Sequence, residues 1–417
     1  MYLYFFLIWI AALCGHRKAR LLIDGLRAQK VLDGKISVLG RQVPHHAVWV
    51  HAASVGEFEQ ARPMIERLRR EKPHLKIVLT FFSPSGYEMR KHYDQVDAVL
   101  YLPFATRRNA KRFIDALQPK MAIFVKYEFW PAYLNELHKR AIPTYSISAI
   151  FRKQQLFFHF YGKRHLNALR CFTHIYVQDD ASRALLAQHG ILQTSVAGDT
   201  RFDRVVEVKN TRSLENAERL APIEAFIAGS ERVIVEGSTW SEDEKLLAEF
   251  IEKANGLRDE KVKLILVPHE LTESHLHFIF NLFKGRLVRY TAKNNPQSLQ
   301  DADVLLIDTM GLLSTVYRFG QVAYIGGGFG VGIHNTIEAA VYGMPVLFGP
   351  NYHHFREAKG LIDAGAARSI KNYNELEEAL EVALEHYRTI GANAAEYVAS
   401  ETGATAKIYD EIFAESI

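Results

Sequence analysis

Short apolar runs alternate with longer amphipathic stretches along the first half of the chain. Each run is rich in β-branched and aromatic residues and is bounded by polar or glycine-containing segments, which is typical of buried strands. The stretches between the runs have helical spacing, and Ile65–Arg70 continues one such helix. The predicted strands are Ala47–Ala53, Lys76–Phe81, Ala98–Tyr101, Met121–Val125, Pro143–Ile147 and His174–Val177. Strands that alternate with helices predict a parallel, doubly wound sheet.

A second alternating series occupies the second half of the chain. Its predicted strands are Arg232–Glu236, Val262–Val267, Val304–Ile307, Val322–Ile325 and Pro345–Phe348, and helices such as Leu376–Glu385 end the chain. The two series predict an α/β protein with two Rossmann-like domains that face each other across a cleft, the GT-B layout. Periodicity alone does not identify a glycosyltransferase, because one fold supports many functions.

The polar, charged stretch Glu207–Ala221 lacks a strand pattern and is the best candidate for a linker between the two series. The predicted organisation is an N-terminal segment at 1–30, a first domain at 31–206, a linker at 207–225 and a second domain at 226–417.

The N-terminal segment predicts an association with a membrane. Tyr2–Leu13 is almost wholly apolar, and Arg17, Lys18 and Arg20 follow it. The run is shorter than the roughly 20 residues of a typical membrane span, and it lacks the positive start and the cleavage site of a signal peptide. We expect an anchor helix that spans the membrane or lies in its interface, with the rest of the chain on the cytoplasmic face of the inner membrane. A buried N-terminal helix is the alternative.

The net charge of +4 conceals an asymmetry between the two halves. Residues 1–200 contain 29 Lys and Arg against 15 Asp and Glu, which is +14 and leaves −10 for the remainder. A basic first half suits an anionic partner such as nucleic acid, acidic lipid headgroups or a phosphorylated glycolipid, and scattered solvated side chains are the alternative. The densest basic patch is Arg107–Arg112. Cys14 and Cys171 form no disulfide framework, which fits a reducing compartment.

Polar, glycine-containing segments follow the predicted strands, at the sheet edge where open α/β domains bind ligands. In the first domain they are His51–Glu57, Ser83–Gly86 and Lys126–Pro131. In the second domain they are Glu236–Trp240, Pro268–Glu270, Asp308–Gly311 and the glycine-rich Gly326–Glu338.

Taken in order, these segments resemble the 3-deoxy-D-manno-octulosonate (Kdo) transferases that modify a lipid A precursor. The resemblance includes Ser54–Glu57, the Ser83–Gly86 loop, Glu128–Pro131, Gly198–Asp203, Gly237–Thr239, Asp308–Gly311 and the glycine-rich segment that ends at Glu338. It extends from the N-terminal segment to about Gly365. It implies a GT-B fold, CMP-Kdo as donor, a lipid A precursor as acceptor, inversion at the anomeric carbon, and no required metal or other cofactor. Nucleic acid is not an implied partner.

The resemblance also assigns roles to residues. Glu57 is the implied catalytic base. The implied acceptor-binding residues are Ser54, Gly56, Ser83, Ser85, Gly86 and Glu128. The implied donor-binding residues are Ser238, Thr239, Pro268, His269, Met310, Gly311, Gly328, Gly330, Gly332, His334, Asn335 and Glu338. The chain departs from the family at Lys126, where a glutamate is usual, and at Pro268–Glu270, where Pro-Arg-His is usual. The missing arginine leaves open whether His269 or a lysine contacts the donor phosphate.

Two of these assignments have structural alternatives. A carboxylate at Glu57 suits proton removal from a sugar hydroxyl, but Ser54 and Glu57 also match a capping box, and Pro63 argues against a regular helix through this region. The glycine-rich run lets backbone N–H groups approach an anion, and the helix after it would point its positive end there. Asn335 and Glu338 could instead cap that helix, whereas the functional interpretation gives Glu338 the ribose hydroxyls.

Other functions remain open on the sequence alone. A transferase or epimerase that uses a UDP-sugar would share the fold, and a membrane-bound nucleotide- or glycolipid-binding protein would need no catalytic base. His353 and His354 are adjacent, and adjacent histidines are poor chelates, so no metal site is expected. The run at Gly326–Gly332 is not a GxGxxG fingerprint, and there is no Walker lysine.

Overall fold

The chain folds into two compact α/β units in a computed structural model. Unit 1 contains residues 1–204 and 402–417, and unit 2 contains residues 205–401. The structure describes residues 2–28, 30–32, 35–38, 41–159, 162–212, 217–257, 261–292, 295–330 and 332–413. Val331 of the predicted glycine-rich segment and residues 213–216 of the predicted linker lie outside these ranges.

A seven-stranded parallel sheet forms the centre of unit 1, in the order β10-β9-β8-β7-β4-β5-β6. A small antiparallel sheet, β1-β2-β3, precedes it. The strands of unit 1 are β1 Lys30–Leu32, β2 Lys35–Val38, β3 Arg41–Gln42, β4 Val48–His51, β5 Ile77–Phe81, β6 Ala98–Tyr101, β7 Met121–Val125, β8 Thr144–Ala149, β9 His174–Val177 and β10 Thr194–Val196.

Helices cover both faces of this sheet, so its central strands are buried on both sides. In β4, Trp49 packs against Phe113 with ring centroids 5.3 Å apart, while Val48 and Val50 belong to the core cluster of Phe58 on the opposite face. The helices are α1 Tyr2–Leu13, α2 Arg17–Ala28, α3 Val55–Glu71, α4 Pro84–Arg90, α5 Arg107–Leu117, α6 Pro131–Lys139, α7 Lys163–Leu169, α8 Asp180–Gln188 and α9 Thr200–Arg212, which continues into unit 2.

Unit 2 contains a second seven-stranded parallel sheet, in the order β13-β14-β12-β11-β15-β16-β17. Its strands are β11 Val233–Thr239, β12 Lys263–Pro268, β13 Leu287–Arg289, β14 Val304–Leu306, β15 Val322–Ile325, β16 Val346–Phe348 and β17 Ala367–Ser369. Its helices are α10 Ala217–Ile227, α11 Ser241–Leu257, α12 Glu273–Leu282, α13 Pro296–Asp301, α14 Leu313–Val316, α15 Ile337–Ala340, α16 Arg356–Asp363, α17 Tyr373–Glu385 and α18 Tyr387–Glu401.

The end of the chain corrects the predicted assignment of 226–417 to the second domain. The last helix, α19 (Ala404–Phe413), belongs to unit 1, where Ile408 and Ile412 are buried in the core cluster of Phe58. The carboxylate of Asp203 accepts hydrogen bonds from the backbone N–H groups of Gly403 and Thr405, at 2.6 and 2.7 Å. Asp203 therefore holds the start of this helix, a structural role for part of the Gly198–Asp203 motif.

The described part of the predicted linker is helical, because residues 207–212 continue α9 and residues 217–225 lie in α10. One further expectation about secondary structure is wrong. Pro63 does not interrupt α3, which runs through it from Val55 to Glu71. A proline inside a helix removes one backbone hydrogen bond and crowds the preceding turn, and the buried apolar face of α3 offsets that cost.

The predicted N-terminal apolar segment forms α1, and the basic residues after it form the start of α2. Ala12 of α1 packs with Ala19 and Ile23 of α2 in a small apolar cluster. Other side chains of α1 are exposed: Leu7, Trp9, Ile10 and Leu13. Within the described residues, every helix falls short of the length and apolar character needed to cross a bilayer.

Candidate active site

The sheet of unit 1 changes winding direction next to β4, and two predicted functional loops start there. β4 lies between β5, the next strand along the chain, and β7, which returns on its other side. Ligands of doubly wound folds bind outside the carboxyl ends of the strands at such a switch point. The loop after β4 leads to Glu57, and the loop after β7 leads to Glu128. The topology thus brings both carboxylates to one edge of the sheet.

Glu57 lies in the first turn of α3, is partly exposed, and does not form the predicted capping box. Ser54 is the N-cap residue, but its side chain makes no hydrogen bond to the helix backbone. Its hydroxyl instead donates to Oε2 of Glu57. In a capping box the Ser54 oxygen would accept from the N–H of Glu57, so Ser54 and Glu57 do not form that box here.

The carboxylate of Glu128 is held by two ring N–H groups. Its Oε2 accepts from Nε1 of Trp130 at 2.6 Å and contacts Nε2 of His51 at 3.1 Å. The His51 side chain is completely buried, and the Glu128 side chain is 14% exposed. Sequence analysis did not assign a role to His51 or Trp130. Both fix the orientation of a carboxylate that would otherwise rotate freely at the strand end.

A chain of hydrogen bonds continues behind His51 into the sheet. Nδ1 of His51 lies 2.8 Å from Oγ1 of Thr80, and that oxygen accepts from Nε1 of Trp49, also at 2.8 Å. An indole N–H can only donate. Nδ1 of His51 also lies 3.1 Å from the carbonyl oxygen of Thr80, so contacts at both ring nitrogens fix the imidazole with Nε2 facing Glu128.

The remaining predicted acceptor residues divide into two groups. Gly56 is exposed on the turn beside Glu57, and the exposed hydroxyls of Ser83 and Ser85 are hydrogen-bonded to each other at 2.7 Å. Gly86, by contrast, is buried, and a Cβ there would lie 2.6 Å from the ring of Phe81. The absence of a side chain at Gly86 is therefore required by packing within the domain.

Lys126 replaces a family glutamate immediately after β7. Its backbone is in the left-handed region, at φ 61°, which is uncommon for a residue with a side chain and occurs often at functional sites. Its Nζ lies 5.4 Å from the ring centroid of Tyr127. Burial raises the pKa of the Tyr127 hydroxyl, and nearby Arg152 and Arg201 partly oppose that rise. This edge of unit 1 therefore combines two carboxylates with a cation.

Unit 2 has the same kind of switch point beside β11. β11 lies between β12 and β15, so the turn after β11 and the glycine-rich segment after β15 meet at one edge. The two backbones touch there, since a Cβ on Gly326 would lie 2.4 Å from the carbonyl oxygen of Ser238. Ser238 itself has a left-handed backbone at φ 57°. Close approach of two loops thus explains a glycine and a strained serine in the predicted donor site.

Three aromatic side chains form a stack at this edge. The rings of Trp240 and His269 are stacked with centroids 4.8 Å apart, and those of His269 and His334 with centroids 4.4 Å apart. Nε1 of Trp240 donates to Nε2 of His334 at 3.4 Å. Because the indole can only donate, Nε2 of His334 carries no proton. Burial, with the neighbouring His269, lowers the pKa of His334 to about 4, so this histidine is neutral near pH 7.

The glycine-rich segment differs from the predicted anion cradle. The N–H groups of Gly330 and Gly332 donate to the carbonyl of Gly327, and the N–H of Gly327 donates to the buried carboxylate of Asp243. These bonds shape the loop and leave those N–H groups engaged within the protein. The helix after it, α15, has only four residues, and the side chain of its N-cap residue, Thr336, makes no capping hydrogen bond. The expected helix-dipole contribution is therefore small.

Glu338 lies in the first turn of α15, where its Oε1 accepts from Nδ2 of Asn335 at 2.8 Å. Asn335 is not the N-cap residue, so the predicted capping pair is not formed. Some of the other predicted donor residues are buried, and others are exposed. Thr239 is fully buried, and its hydroxyl donates to Glu244 at 2.7 Å, so its side chain does not face a ligand.

The ends of β12 and β14 lie at the same edge of unit 2 and carry three more predicted donor residues, Pro268, Met310 and Gly311. Pro268 is the last residue of β12, and the N–H of His269 after it donates to the carbonyl of Thr239. Met310 is 73% exposed, and Gly311 has a left-handed backbone at φ 87°. Gly328 packs against Gly349, where a Cβ would lie 2.6 Å from backbone atoms. The predicted donor residues therefore include both accessible and packing positions.

Beneath this edge lies a carboxyl group that sequence analysis did not single out. Glu236, in β11, is completely buried, and neither of its side-chain oxygens has a hydrogen-bond partner among the residues that the structure describes. Burial raises its pKa well above the usual value, and the nearby carboxylates of Glu244 and Asp243 add to the rise. Burial without a partner thus favours the neutral form of the Glu236 carboxyl over the charged form.

We expect Glu236→Gln to stabilise the protein at neutral pH. Above the ordinary carboxyl pKa the unfolded state has lost this proton while the folded state keeps it. The free energy of unfolding therefore falls as the pH rises above that pKa. The amide does not titrate. The difference in free energy of unfolding should therefore be small below about pH 4.5 and widen towards pH 8. Urea titrations at several pH values measure it, and a difference that does not change with pH would contradict the assignment. Glu244→Gln, which disturbs the bonds to Thr239 and His275, is the control expected to destabilise.

Within the described part of the chain, no group of three or more His, Cys, Asp or Glu side chains is placed to hold a metal ion. His353 and His354 lie in the turn after β16, and Tyr352 contacts the ring of His353 with centroids 4.4 Å apart.

Known proteins resemble the chain in sequence over most of its length. Residues 28–204 match the family model described as 3-Deoxy-D-manno-octulosonic-acid transferase (kdotransferase). The 3-deoxy-D-manno-octulosonic acid transferase of Rickettsia prowazekii is 27% identical over 351 residues, which cover 81% of this chain and 72% of that protein. The transferase of the same name from Haemophilus influenzae is 28% identical over 362 residues, covering 82% of this chain and 79% of that protein.

A solved structure supports the fold. UDP-GlcNAc 2-epimerase from Neisseria meningitidis matches with a TM-score of 0.64 over 88% of this chain and 100% of that chain. At 16% identity this likeness concerns the fold alone, two parallel-sheet α/β domains of the GT-B type. Together with the family match at residues 28–204, these relatives show that the chain is similar in sequence to the 3-deoxy-D-manno-octulosonic acid transferases over most of its length.

Proposed function

We propose that this protein is a glycosyltransferase that transfers Kdo from CMP-Kdo to a lipid A precursor, with inversion and without a metal ion. The observation that carries the proposal is the position of Glu57. Its carboxylate lies at the switch point of unit 1, is partly exposed, and is oriented by Ser54 without serving as a helix cap. The order of the family motifs along the chain supports the choice of donor and acceptor.

On the acceptor side, Glu57 would act as the general base. A sugar hydroxyl is a poor nucleophile near pH 7, so its attack requires a base within hydrogen-bond reach. The acceptor oxygen forms a bond to the anomeric carbon of Kdo, and its proton passes to Glu57. In the same displacement the bond from that carbon to the CMP phosphate oxygen breaks, and its electron pair leaves with CMP. A single displacement inverts the anomeric configuration. Glu128, fixed by His51 and Trp130, would bind a second acceptor hydroxyl.

On the donor side, the stacked rings of unit 2 are the best candidates for contact with CMP. His334 is neutral and presents Nδ1–H as a donor, because its Nε2 accepts from Trp240. His269 occupies the place of the family arginine and lies between the rings of Trp240 and His334, so its ring nitrogens would contact the donor phosphate. Glu338 would accept hydrogen bonds from the ribose hydroxyls.

A direct assay tests the proposal. The purified protein should release CMP when it is given CMP-Kdo and a tetra-acylated lipid A precursor, and only when both are present. Thermal unfolding should be shifted upward by CMP more than by UDP, since ligand that binds the folded state stabilises it. Protection by UDP alone, together with no CMP release, would favour the UDP-sugar alternative.

We also propose that α1 holds the protein on the cytoplasmic face of the inner membrane. The exposed apolar side chains of Leu7, Trp9, Ile10 and Leu13 suit the acyl region of an interface. Arg17 and Lys18, directly after it, suit acidic headgroups.

Deletion of residues 1–14 should move the protein from the membrane fraction to the soluble fraction with both units still folded, because the two parallel sheets begin at Val48 and Val233. Sedimentation with vesicles that contain acidic phospholipid measures the change. The double variant Ile10→Ser/Leu13→Ser keeps the helix while removing two exposed apolar side chains, and it should show a smaller loss. Unchanged sedimentation of the deletion variant would mean that the basic surface alone holds the protein.

A further inference from the structure

A groove runs between the N-terminal helix pair and the sheet of unit 1, and the proposed mechanism does not use it. The groove has a cavity volume of about 530 Å³, which is within the range of roughly 300–1,000 Å³ for small-molecule sites. We call it the α1–α2 groove and define it by Leu7, Ala11, Lys18, Leu22, Phe82 and Ser83, all of which line it.

The walls and the rim of the α1–α2 groove differ in character. Its walls are apolar, with Leu7 and Ala11 from α1, Leu22 from α2 and Phe82 from the loop after β5. Lys18 adds an exposed cation. An apolar channel with a positive charge beside it complements a hydrocarbon chain that carries an anionic group, and such burial is favourable in proportion to the apolar area removed from water.

The basic residues here are not explained by helix stability. Arg17, Lys18 and Arg20 lie in the first turn of α2, which has no acidic residue there. Cations at a helix N-terminus are opposed by the helix dipole, which favours them at the opposite end. Their charge therefore adds to the positive end of α2 beside the groove, where an anionic ligand would be attracted.

The groove leads to the proposed catalytic turn through a direct backbone contact. Ser83, on its lining, donates its N–H to the carbonyl of Ala53 at 2.7 Å. Ala53 immediately precedes Ser54, whose hydroxyl contacts Glu57. The strands before these two loops, β4 and β5, are hydrogen-bonded neighbours. One lining residue of the groove is therefore hydrogen-bonded to the loop that carries the proposed base.

We propose that the α1–α2 groove binds one acyl chain of the lipid acceptor and that Lys18 contacts a phosphate of the same molecule. This inference rests on the proposed function, which supplies an acceptor that is both acylated and phosphorylated. The groove then acts as an anchor for the acceptor, so that binding of the acyl chain places a sugar hydroxyl near Glu57.

The substitution Ala11→Phe, which fills the groove, separates this role from catalysis. We expect it to lower kcat/KM for the acylated acceptor about tenfold, as loss of contact with a few methylene groups requires, and to leave kcat/KM for the deacylated acceptor within about twofold. Leu21→Phe, on the exposed face of α2 outside the groove, is the matched control and should change neither value. Equal losses on both acceptors, or no loss on either, would overturn the inference. If the unsubstituted protein used neither acceptor, the proposed function would have failed instead.

A binding measurement tests the groove without an assay of Kdo transfer, and it does not depend on whether Ala11→Phe folds. Dodecyl phosphate, titrated below its micelle concentration, should bind the full chain, and Lys18→Gln should weaken that binding several-fold because a charge-assisted contact is lost. Ethyl phosphate, which lacks the chain, should not bind detectably. Equal binding of dodecyl phosphate to the unsubstituted protein, Ala11→Phe and Lys18→Gln would overturn the inference. A second result would also overturn the inference: Ala11→Phe no longer associates with vesicles but keeps the normal preference between the two acceptors. That result would mean that the groove binds bulk membrane lipid.

Discussion

Glu57→Gln should lower turnover by about 10²–10⁴-fold, the usual size of a general-base contribution. The amide keeps the shape of the side chain and can still accept from Ser54, but it cannot take a proton from the acceptor hydroxyl. Affinity for CMP should be nearly unchanged, because the proposed donor residues lie in unit 2. The melting temperature should also be nearly unchanged, since Ser54 and Glu57 do not form the reciprocal bonds of a capping box. Steady-state rates and a thermal melt of the same preparation measure these effects.

A neighbouring carboxylate provides the control for that experiment. Glu59 lies two residues further along α3, where it pairs with Arg90 at 2.9 Å and with Arg204 at 3.3 Å. Glu59→Gln should reduce stability modestly and leave turnover nearly unchanged. A Glu57→Gln protein that keeps more than about a tenth of normal turnover would remove Glu57 from the role of base. The same result would favour the alternative of a nucleotide- or glycolipid-binding protein without catalysis.

The sequence pattern predicted the central strands well because they are buried on both faces. The predicted limits of Met121–Val125, His174–Val177 and Val322–Ile325 agree with the structure at both ends. A strand that is covered by helices on both sides must be apolar throughout, so its sequence is a continuous run. The predicted fold of two Rossmann-like units follows from these strands and is confirmed by the parallel order of both sheets.

In the two parallel sheets, the strands that the sequence pattern did not indicate lie at sheet edges. Thr194–Val196, Leu287–Arg289 and Ala367–Ser369 are the outermost members of their sheets, and each is at least partly exposed. A short edge strand needs no continuous apolar run, so its composition resembles that of a loop.

The candidate site was predictable as a set of loops, but not as a set of contacts. Position after a strand indicated Glu57 and Glu128, since strand ends of a parallel sheet share one edge. The partners of Glu128 come from β4 and from the start of α6, and only the fold shows that His51 and Trp130 meet the same oxygen. A histidine at the end of an otherwise apolar strand was the available signal for His51. Nothing comparable indicated that Asp243 binds the N–H of Gly327.

The glycine-rich segment shows why composition can mislead about a site. Its glycines suggested an open cradle for an anion, yet Gly326 and Gly328 are required by close contact with Ser238 and Gly349. Two loops whose backbones touch need glycine whether or not a ligand is present. The stronger indication of a donor site is the stack of Trp240, His269 and His334, since aromatic faces and ring nitrogens can bind a base or a phosphate.

Glu338→Ala should weaken CMP binding by about 1.5–3 kcal/mol, the loss expected when a charge-assisted hydrogen bond to the ribose is removed. This corresponds to a roughly 10- to 150-fold rise in Kd. Glu338 also accepts from Asn335 at 2.8 Å, so the variant frees that amide as well. Asn335→Ala removes the same contact while keeping the carboxylate, and it should raise Kd by a smaller factor. Titration calorimetry with CMP, beside thermal melts of all three proteins, separates the effects. If Glu338→Ala binds CMP normally and melts at a lower temperature, Glu338 supports the turn before α15 and does not contact the donor.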